Sequence, residues 1–176
     1  MNAKLATLFV SLAVSGYLTF VESYGSGAPT EVCEDMLPQH GAPVQTTPSP
    51  YTLTPNRKTV KGGEQITLTL AAKDLSKFKG FMVQARDSTG APVGSFAPLP
   101  VSKGNNEFKG KWKLITCPKG PANNTATHVN PMEKSRVVLT WIAPKNLNKN
   151  FNFKYTVAKN GGEYWVGIDT ETISVN

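Results

Sequence analysis

The sequence predicts an all-β fold: an immunoglobulin-like antiparallel β-sandwich with an extended N-terminal arm. Through most of the chain after residue 50, apolar side chains alternate with polar ones, which is the pattern of half-buried strands. The 15 glycines and 13 prolines together exceed the ~12% of an average protein and favour a chain with many turns. No segment shows a sustained periodicity of 3.6 residues, so we do not expect long helices.

Residues 1–23 are predicted to be a signal peptide. Lys4 precedes a mostly apolar stretch of 17 residues, from Leu5 to Val21, which is short for a helix that spans a membrane. Cleavage after Ser23 would leave a mature chain that begins at Tyr24, and the alternative is an uncleaved signal anchor. We expect secretion, with residues 24–176 forming one domain and no transmembrane span in it.

Residues 24–50 are predicted to form the extended arm, because eight glycines and prolines punctuate them. The strands follow after residue 51. The clearest of them alternates Phe151, Phe153, Tyr155 and Val157 with polar residues, and Asn160-Gly161-Gly162 after it is a hairpin turn signal. The predicted strands are 66–70, 81–86, 93–96, 111–114, 137–141, 151–157, 164–168 and 173–175. The rings expected in the core are Phe81, Trp112, Trp141, Phe153, Tyr155 and Tyr164.

Two cysteines, Cys33 and Cys117, are the only candidates for a disulfide. A secretory route favours their pairing, and the bridge would close a loop of about 85 residues. The rival interpretation is a catalytic thiol, but neither cysteine lies in a C-x-x-C pair. Asn123 begins the sequon Asn123-Asn124-Thr125 in a stretch expected to be a polar loop, and it is a candidate glycosylation site.

The sequence offers little for catalysis, so we expect a protein that is not an enzyme. It has no G-x-S-x-G motif, no phosphate-binding loop and only two histidines. We assign no catalytic residue, no metal ligand and no cofactor. One alternative stays open, in which His40 forms a metal or catalytic site with Glu34 and Asp35, which are close to it in sequence.

The basic residues give the clearest functional hypothesis. The formal net charge is +7, from 19 lysines and arginines against 12 acidic residues, and such a charge attracts anionic partners. Two groups of lysines alternate with aromatic residues, so each strand is expected to turn its ammonium groups to solvent. Microbial polyanions such as lipopolysaccharide or teichoic acid are the predicted partners, a host cell surface is the alternative, and nucleic acid is not expected. The candidate polyanion-binding residues are Lys109, Lys111, Lys113, Lys145, Lys149 and Lys154. An ordinary solvated sheet face is the competing explanation.

Several stretches together resemble the reeler (reelin-type) domain. The resemblance starts at Gly27-Ala28-Pro29, covers roughly residues 27–176 and is most specific at Phe78-Lys79-Gly80-Phe81-Met82-Val83-Gln84-Ala85-Arg86. The other matching stretches, in chain order, are Cys33, Met36-Leu37-Pro38-Gln39-His40-Gly41, Ser49-Pro50-Tyr51, Pro92-Val93-Gly94-Ser95-Phe96, Cys117, Thr127-His128, Val138-Leu139-Thr140-Trp141-Ile142-Ala143-Pro144 and Tyr164-Trp165-Val166.

The resemblance implies an immunoglobulin-like sandwich and a Cys33–Cys117 bridge. A lone reeler domain of this length is similar to secreted insect defence proteins, which implies a role in innate immunity. Reeler domains also occur beside cytochrome b561-type modules in reductase-like proteins, but no such module is recognisable here, so we expect no redox activity. The alternative function is that of an adhesive or matrix-type binding module.

Overall fold

The computed structural model describes residues 24–98 and 110–176, and it confirms the predicted β-sandwich. The predicted signal peptide and Lys109 lie outside these residues. Within them, the strands in chain order are β1 (Tyr51–Pro55), β2 (Thr59–Val60), β3 (Gln65–Ala72), β4 (Gly80–Asp87), β5 (Ser95–Phe96), β6 (Trp112–Ile115), β7 (Thr125–His128), β8 (Arg136–Ile142), β9 (Phe151–Ala158), β10 (Tyr164–Asp169) and β11 (Ser174–Val175).

Two antiparallel sheets form the layers of the sandwich. One has the strand order β1-β3-β8-β5, and the other has the order β10-β9-β4-β7-β6. A short parallel pair, β11 with β2, lies beside them. Strands β4 and β9 pair over their full length, from Gly80 opposite Ala158 to Asp87 opposite Phe151. Gly80 and Asp87 therefore lie at the two opposite ends of the five-stranded sheet.

The core lies between the sheets, where period-two alternation places it. In β3, Ile66, Leu68 and Leu70 are fully buried, and the residues between them are half-buried. All six predicted core rings are buried. Five of them belong to the main core, whereas Tyr164 lies under the N-terminal arm, where its hydroxyl donates a hydrogen bond to the carbonyl oxygen of Ala42.

The N-terminal arm is extended apart from one 3-10 turn, Thr30–Val32. It packs on the outer face of the five-stranded sheet, where Val32 and Met36 join Met82 and the disulfide in a second apolar cluster. The Cys33–Cys117 bridge, predicted from the compartment and the resemblance, is present, with the two Cα atoms 5.7 Å apart. No free cysteine remains.

The arm explains one departure from the predicted alternation. In the predicted strand 81–86, alternation from the core ring Phe81 would turn Met82, Gln84 and Arg86 to solvent. Instead, Met82 and Gln84 are buried and Arg86 is half-buried. The arm covers these side chains, and the guanidinium of Arg86 donates hydrogen bonds to the carbonyl oxygens of Cys33 and Glu34. A strand with both faces covered does not alternate.

Candidate functional site

The first group of candidate lysines lies on the edge strand β6, at the Gly80 end of the five-stranded sheet. Lys113 is exposed between buried Trp112 and half-buried Leu114, as alternation predicted. Lys111 is half-buried and precedes the strand. Trp112 pairs with His128, whose Nδ1 atom accepts a hydrogen bond from the backbone N–H of Phe81. These contacts fix the group beside the first residues of β4.

The second group lies at the opposite end of the sheet. Lys145 and Lys149 are exposed in the loop between β8 and β9, and β9 then begins at Phe151, which pairs with Asp87. Phe81 and Asp87 are six residues apart on β4, which corresponds to about 20 Å at ~3.3 Å per residue. The two groups therefore form separate surfaces.

Lys154 differs from the other candidates because its ammonium already has partners. Its Nζ atom lies 2.8 Å from a carboxylate oxygen of Asp169 and 3.2 Å from the carbonyl oxygen of Gly167. An external anion would have to compete with these partners, so Lys154 is a weaker candidate than Lys113.

Lys134 is a buried cation that the sequence analysis did not single out. Lys134 is 2% exposed. Its Nζ atom donates three hydrogen bonds, to the carbonyl oxygens of Lys79, Asn130 and Met132 at 2.7 to 2.9 Å. Burial, with a contribution from Lys111, lowers the pKa of Lys134 to about 8. These three hydrogen bonds hold the loop before β8 against the residue that precedes β4.

The structure does not assemble a metal site from His40, Glu34 and Asp35. Among residues 24–98 and 110–176, no group of three histidine, cysteine or acidic side chains is arranged to hold a metal ion. Glu34 and Asp35 are exposed, and one Asp35 carboxylate oxygen accepts a hydrogen bond from the backbone N–H of Leu37. The ring of His40 instead packs edge-on against Tyr164, with centroids 5.4 Å apart.

The candidate glycosylation site Asn123 is exposed, in the turn that precedes β7. The third residue of the sequon departs from the predicted polar loop, because Thr125 is buried in β7. Its hydroxyl accepts a hydrogen bond from the Gln84 side chain and lies 3.1 Å from the Cys117 sulfur. Glycan attachment at Asn123 stays a prediction.

A pocket between the arm and the Gly80 end of the sheet brings both histidines together. Its volume is ≈ 170 Å³. The lining is mostly apolar and comes from three places: the arm (Tyr24, Gly25, Ala28, Val32, Met36, Pro38, His40), the sheet and its margins (Lys79, Gly80, Phe81, Met82, His128, Pro131, Thr156, Ala158) and the β9–β10 turn (Asn160, Gly161). Sequence reasoning missed this site. A usable signal was the lack of charge at the outward positions Met82, Thr156 and Ala158.

His128 is fixed at the base of this pocket. Its Nε2 atom lies 3.0 Å from the carbonyl oxygen of Tyr24, and its Nδ1 atom lies 3.3 Å from the backbone nitrogen of Phe81. The neutral tautomer with a proton on Nε2 satisfies both contacts. Gly80 permits this arrangement, because a Cβ atom there would lie 3.2 Å from the His128 ring.

The environment of His128 predicts a loss of stability in mild acid. Burial, helped by Lys134 and Lys113, lowers the pKa of His128 below its ordinary value of 6.5, although contacts with Phe81 and Tyr24 oppose the shift. The unfolded chain therefore takes up a proton at a pH where folded His128 does not. The free energy of unfolding should fall as the pH drops below 6.5 towards the folded pKa, and above 6.5 this contribution is fully present.

Urea unfolding between pH 7.5 and 5.0 tests this expectation on the parent and on His128→Gln. The glutamine variant should lose part of the pH dependence, because it carries no titrating group at this position. His40→Gln serves as a comparison, because burial lowers the pKa of His40 as well. Equal slopes for the parent and His128→Gln would show that His128 does not contribute.

Comparison with known proteins places the chain in a family. A Reeler domain family model matches residues 31–176. "Putative defense protein Hdd11" of Hyphantria cunea is 37% identical over 171 residues, which cover 95% of this chain and 96% of the relative. "Defense protein l(2)34Fc" of Drosophila melanogaster is 34% identical over 173 residues, which cover 98% of each. "Putative ferric-chelate reductase 1" of Danio rerio is 33% identical, but the chain spans only 28% of its length.

A solved structure supports the fold. The crystal structure of the human F-spondin reeler domain superimposes with a TM-score of 0.60 at 16% sequence identity, covering 77% of this chain and 94% of that one. Within residues 24–98 and 110–176, no helix has the length and apolar character needed to cross a membrane. The resemblance noted from the sequence is confirmed, and the chain belongs to the Reeler domain family.

Proposed function

We propose that this protein is secreted, acts in defence against microbes and binds anionic microbial surfaces without catalysing a reaction. The defence role is supported by relatives that match nearly the whole chain and carry defence-protein names. The disulfide is compatible with an extracellular protein. The observation that carries the binding mechanism is the exposed ammonium of Lys113 on the edge strand β6, which has no ion-pair partner among the residues that the structure describes.

The β6 end of the sheet is the better of the two lysine surfaces. Lys113 and Lys79 are exposed there, and Lys111 lies close to Lys113 in sequence and near Lys134 in space. At the other end, Lys149 acts electrostatically on Asp87, and Lys154 is paired with Asp169. Among the described residues, a polyanion would therefore have to displace a paired carboxylate at Lys154 but none at Lys113.

A pair of double variants tests the mechanism. Lys111→Gln/Lys113→Gln and Lys145→Gln/Lys149→Gln remove the same charge from opposite ends of the sheet. Near an anionic surface each engaged lysine contributes about 1 kcal/mol, so the first variant should bind bacteria, lipopolysaccharide or teichoic acid about 30-fold more weakly than the parent. The second should bind nearly as well as the parent. Binding of the parent should weaken as salt rises, because ions screen exposed charges beyond ~8 Å at physiological ionic strength.

The measurements are cosedimentation with whole bacteria and titration of purified polyanions at two salt concentrations, with unfolding midpoints as a check on folding. Equal losses in both variants would mean that net charge alone drives the attraction. Unchanged binding by Lys111→Gln/Lys113→Gln at both salt concentrations would disprove the β6 mechanism. A parent protein that binds no microbial surface would instead favour the adhesive-module function.

A further inference from the structure

The pocket under the N-terminal arm has the features of a site for a small ligand. Its apolar wall is built from buried side chains, since Met36 is 1%, Met82 3% and Val32 5% exposed. The arm that carries Val32 and Met36 is held on both sides. The Cys33 disulfide fixes it near Val32, and the hydroxyl of Thr156 donates a 2.9 Å hydrogen bond to the carbonyl oxygen of Met36. The wall is therefore present before any ligand arrives.

Most polar groups in the pocket already have partners within the protein. Both nitrogens of His128 have backbone partners, and the Thr156 hydroxyl donates to Met36 and accepts from the N–H of Gly167. Among the buried polar atoms of the lining, the exception is the Nδ1 atom of His40, which has no hydrogen-bond partner among the described residues. A buried polar atom without a partner is uncommon in folded proteins and calls for an explanation.

A cation lies beside the same pocket. Lys79 lines it and is exposed, and its ammonium forms no ion pair with any residue in the described part of the chain. The backbone of Lys79 is already hydrogen-bonded, because its N–H donates to the carbonyl oxygen of Ala158 and its own carbonyl oxygen accepts from the ammonium of Lys134. Lys79 and His40 thus supply a positive charge and a hydrogen-bonding nitrogen next to an apolar space.

The size of the pocket limits the apolar part of a ligand. A cavity of about 150 Å³ accommodates benzene, so ≈ 170 Å³ suits about six to eight carbon atoms. The flexible side chains of Met36 and Met82 can follow the shape of an unbranched chain. We propose that the pocket binds a medium-chain fatty carboxylate, with its hydrocarbon end between Met36 and Met82 and its carboxylate at Lys79 and His40.

Methionine methyl NMR observes this site directly. The chain contains four methionines. Met36 and Met82 line the pocket, Met132 is 70% exposed and does not line it, and Met1 lies in the predicted signal peptide. In protein labelled with ¹³C at the methionine methyl groups, decanoate should shift the Met36 and Met82 signals and leave Met132 unchanged. Each added methylene from hexanoate to octanoate should tighten binding about fourfold, and the gain should level off towards decanoate.

Two neighbouring glycines give a matched pair of blocking and control variants. Gly161 lines the pocket, and a Cβ atom built on it meets nothing within 4 Å, so Gly161→Phe should place a ring at the pocket and abolish the shifts. Gly162 does not line the pocket, and Gly162→Phe should bind decanoate like the parent. Lys79→Gln should weaken binding of decanoate while leaving that of decanol unchanged.

The outcomes separate this site from the lysine surface on β6. Lys111→Gln/Lys113→Gln should bind decanoate normally, because neither residue lines the pocket. Absence of Met36 and Met82 shifts at millimolar decanoate would overturn the proposal, and so would equal shifts in Gly161→Phe. If decanol binds as tightly as decanoate, the assignment of Lys79 and His40 to a carboxylate is wrong. None of these results depends on whether the protein binds microbial surfaces.

Discussion

Replacing Trp141 by alanine is expected to lower the free energy of unfolding by about 3–5 kcal/mol. Trp141 is 0% exposed and lies where the two sheets meet. Its ring packs against Phe151 with centroids 4.6 Å apart and against Phe153 at 5.5 Å. Alanine would leave a cavity among these rings and would also remove the partner of the Val93 carbonyl oxygen, which accepts a 3.0 Å hydrogen bond from the indole nitrogen.

The close approach of Gly94 limits how this cavity could be filled. Gly94 has a φ of +66°, and a Cβ atom there would lie 2.3 Å from the Trp141 ring. The backbone at Gly94 therefore lies directly against the indole, and its positive φ, which favours glycine, prevents it from shifting to close the gap without strain. The measurement is urea unfolding. Trp141→Phe should lose less than Trp141→Ala, and Met132→Ala, at an exposed site, should lose at most about 0.5 kcal/mol. A loss below about 1.5 kcal/mol for Trp141→Ala would contradict this account of the core.

The inward face of the sandwich was predictable because it depends on local sequence alone. Alternation along a strand assigns each side chain to one face, so Ile66, Leu68 and Leu70 could be placed in the core from spacing. The short strands β1, β2 and β7 were not predicted. Thr125–His128 carries mostly polar side chains, and its hydroxyls are buried only because Gln84 and Phe81 supply partners from β4.

The outer face of β4 could not be predicted from the same rule. Whether Met82 or Gln84 meets water depends on the arm, which is some 50 residues earlier in the chain. Gln84 is buried beside the arm and disulfide through a chain of contacts, in which Arg86 donates to Gln84 and Gln84 donates to Thr125. These hydrogen-bond partners are brought to Gln84 by the tertiary structure, so the alternation of side chains along β4 could not predict them.

The candidate sites also include one feature that local sequence predicts and others that only tertiary structure creates. The exposure of Lys113 follows from its position between Trp112 and Leu114, and it was predicted. The pocket joins His40 from the arm with His128 from β7, and no spacing relates residues so far apart in sequence. The separation of the lysine groups to opposite ends of the sheet also depends on strand order, which the sequence pattern did not supply.

Removing the disulfide with Cys33→Ala/Cys117→Ala is expected to destabilise the protein by about 4–5 kcal/mol in the chain-entropy account. The bridge joins residues separated by 84 positions, and without it the unfolded chain gains the freedom of that whole loop. At 2–4 °C per kcal/mol for a domain of this size, the unfolding midpoint should fall by roughly 10–15 °C. Val32→Ala is the comparison variant, because it removes an arm contact and keeps the covalent link.

The structural damage should be confined to the arm. Cys117 is held independently of the bridge, because its N–H and carbonyl oxygen both bond the Asn124 side chain at 2.9 Å. Apart from the bridge, the arm near Cys33 is held by hydrogen bonds, from Arg86 to Cys33 and Glu34 and from Thr156 to Met36. Hydrogen exchange should therefore accelerate at residues 28–40 and change little in β7. Since Val32 and Met36 form one wall of the pocket, the Met36 methyl signal should move and decanoate binding should weaken together. Uniform acceleration of exchange across both sheets would mean that the bridge supports the whole sandwich, and unchanged exchange in the arm would show that its hydrogen bonds suffice to hold it.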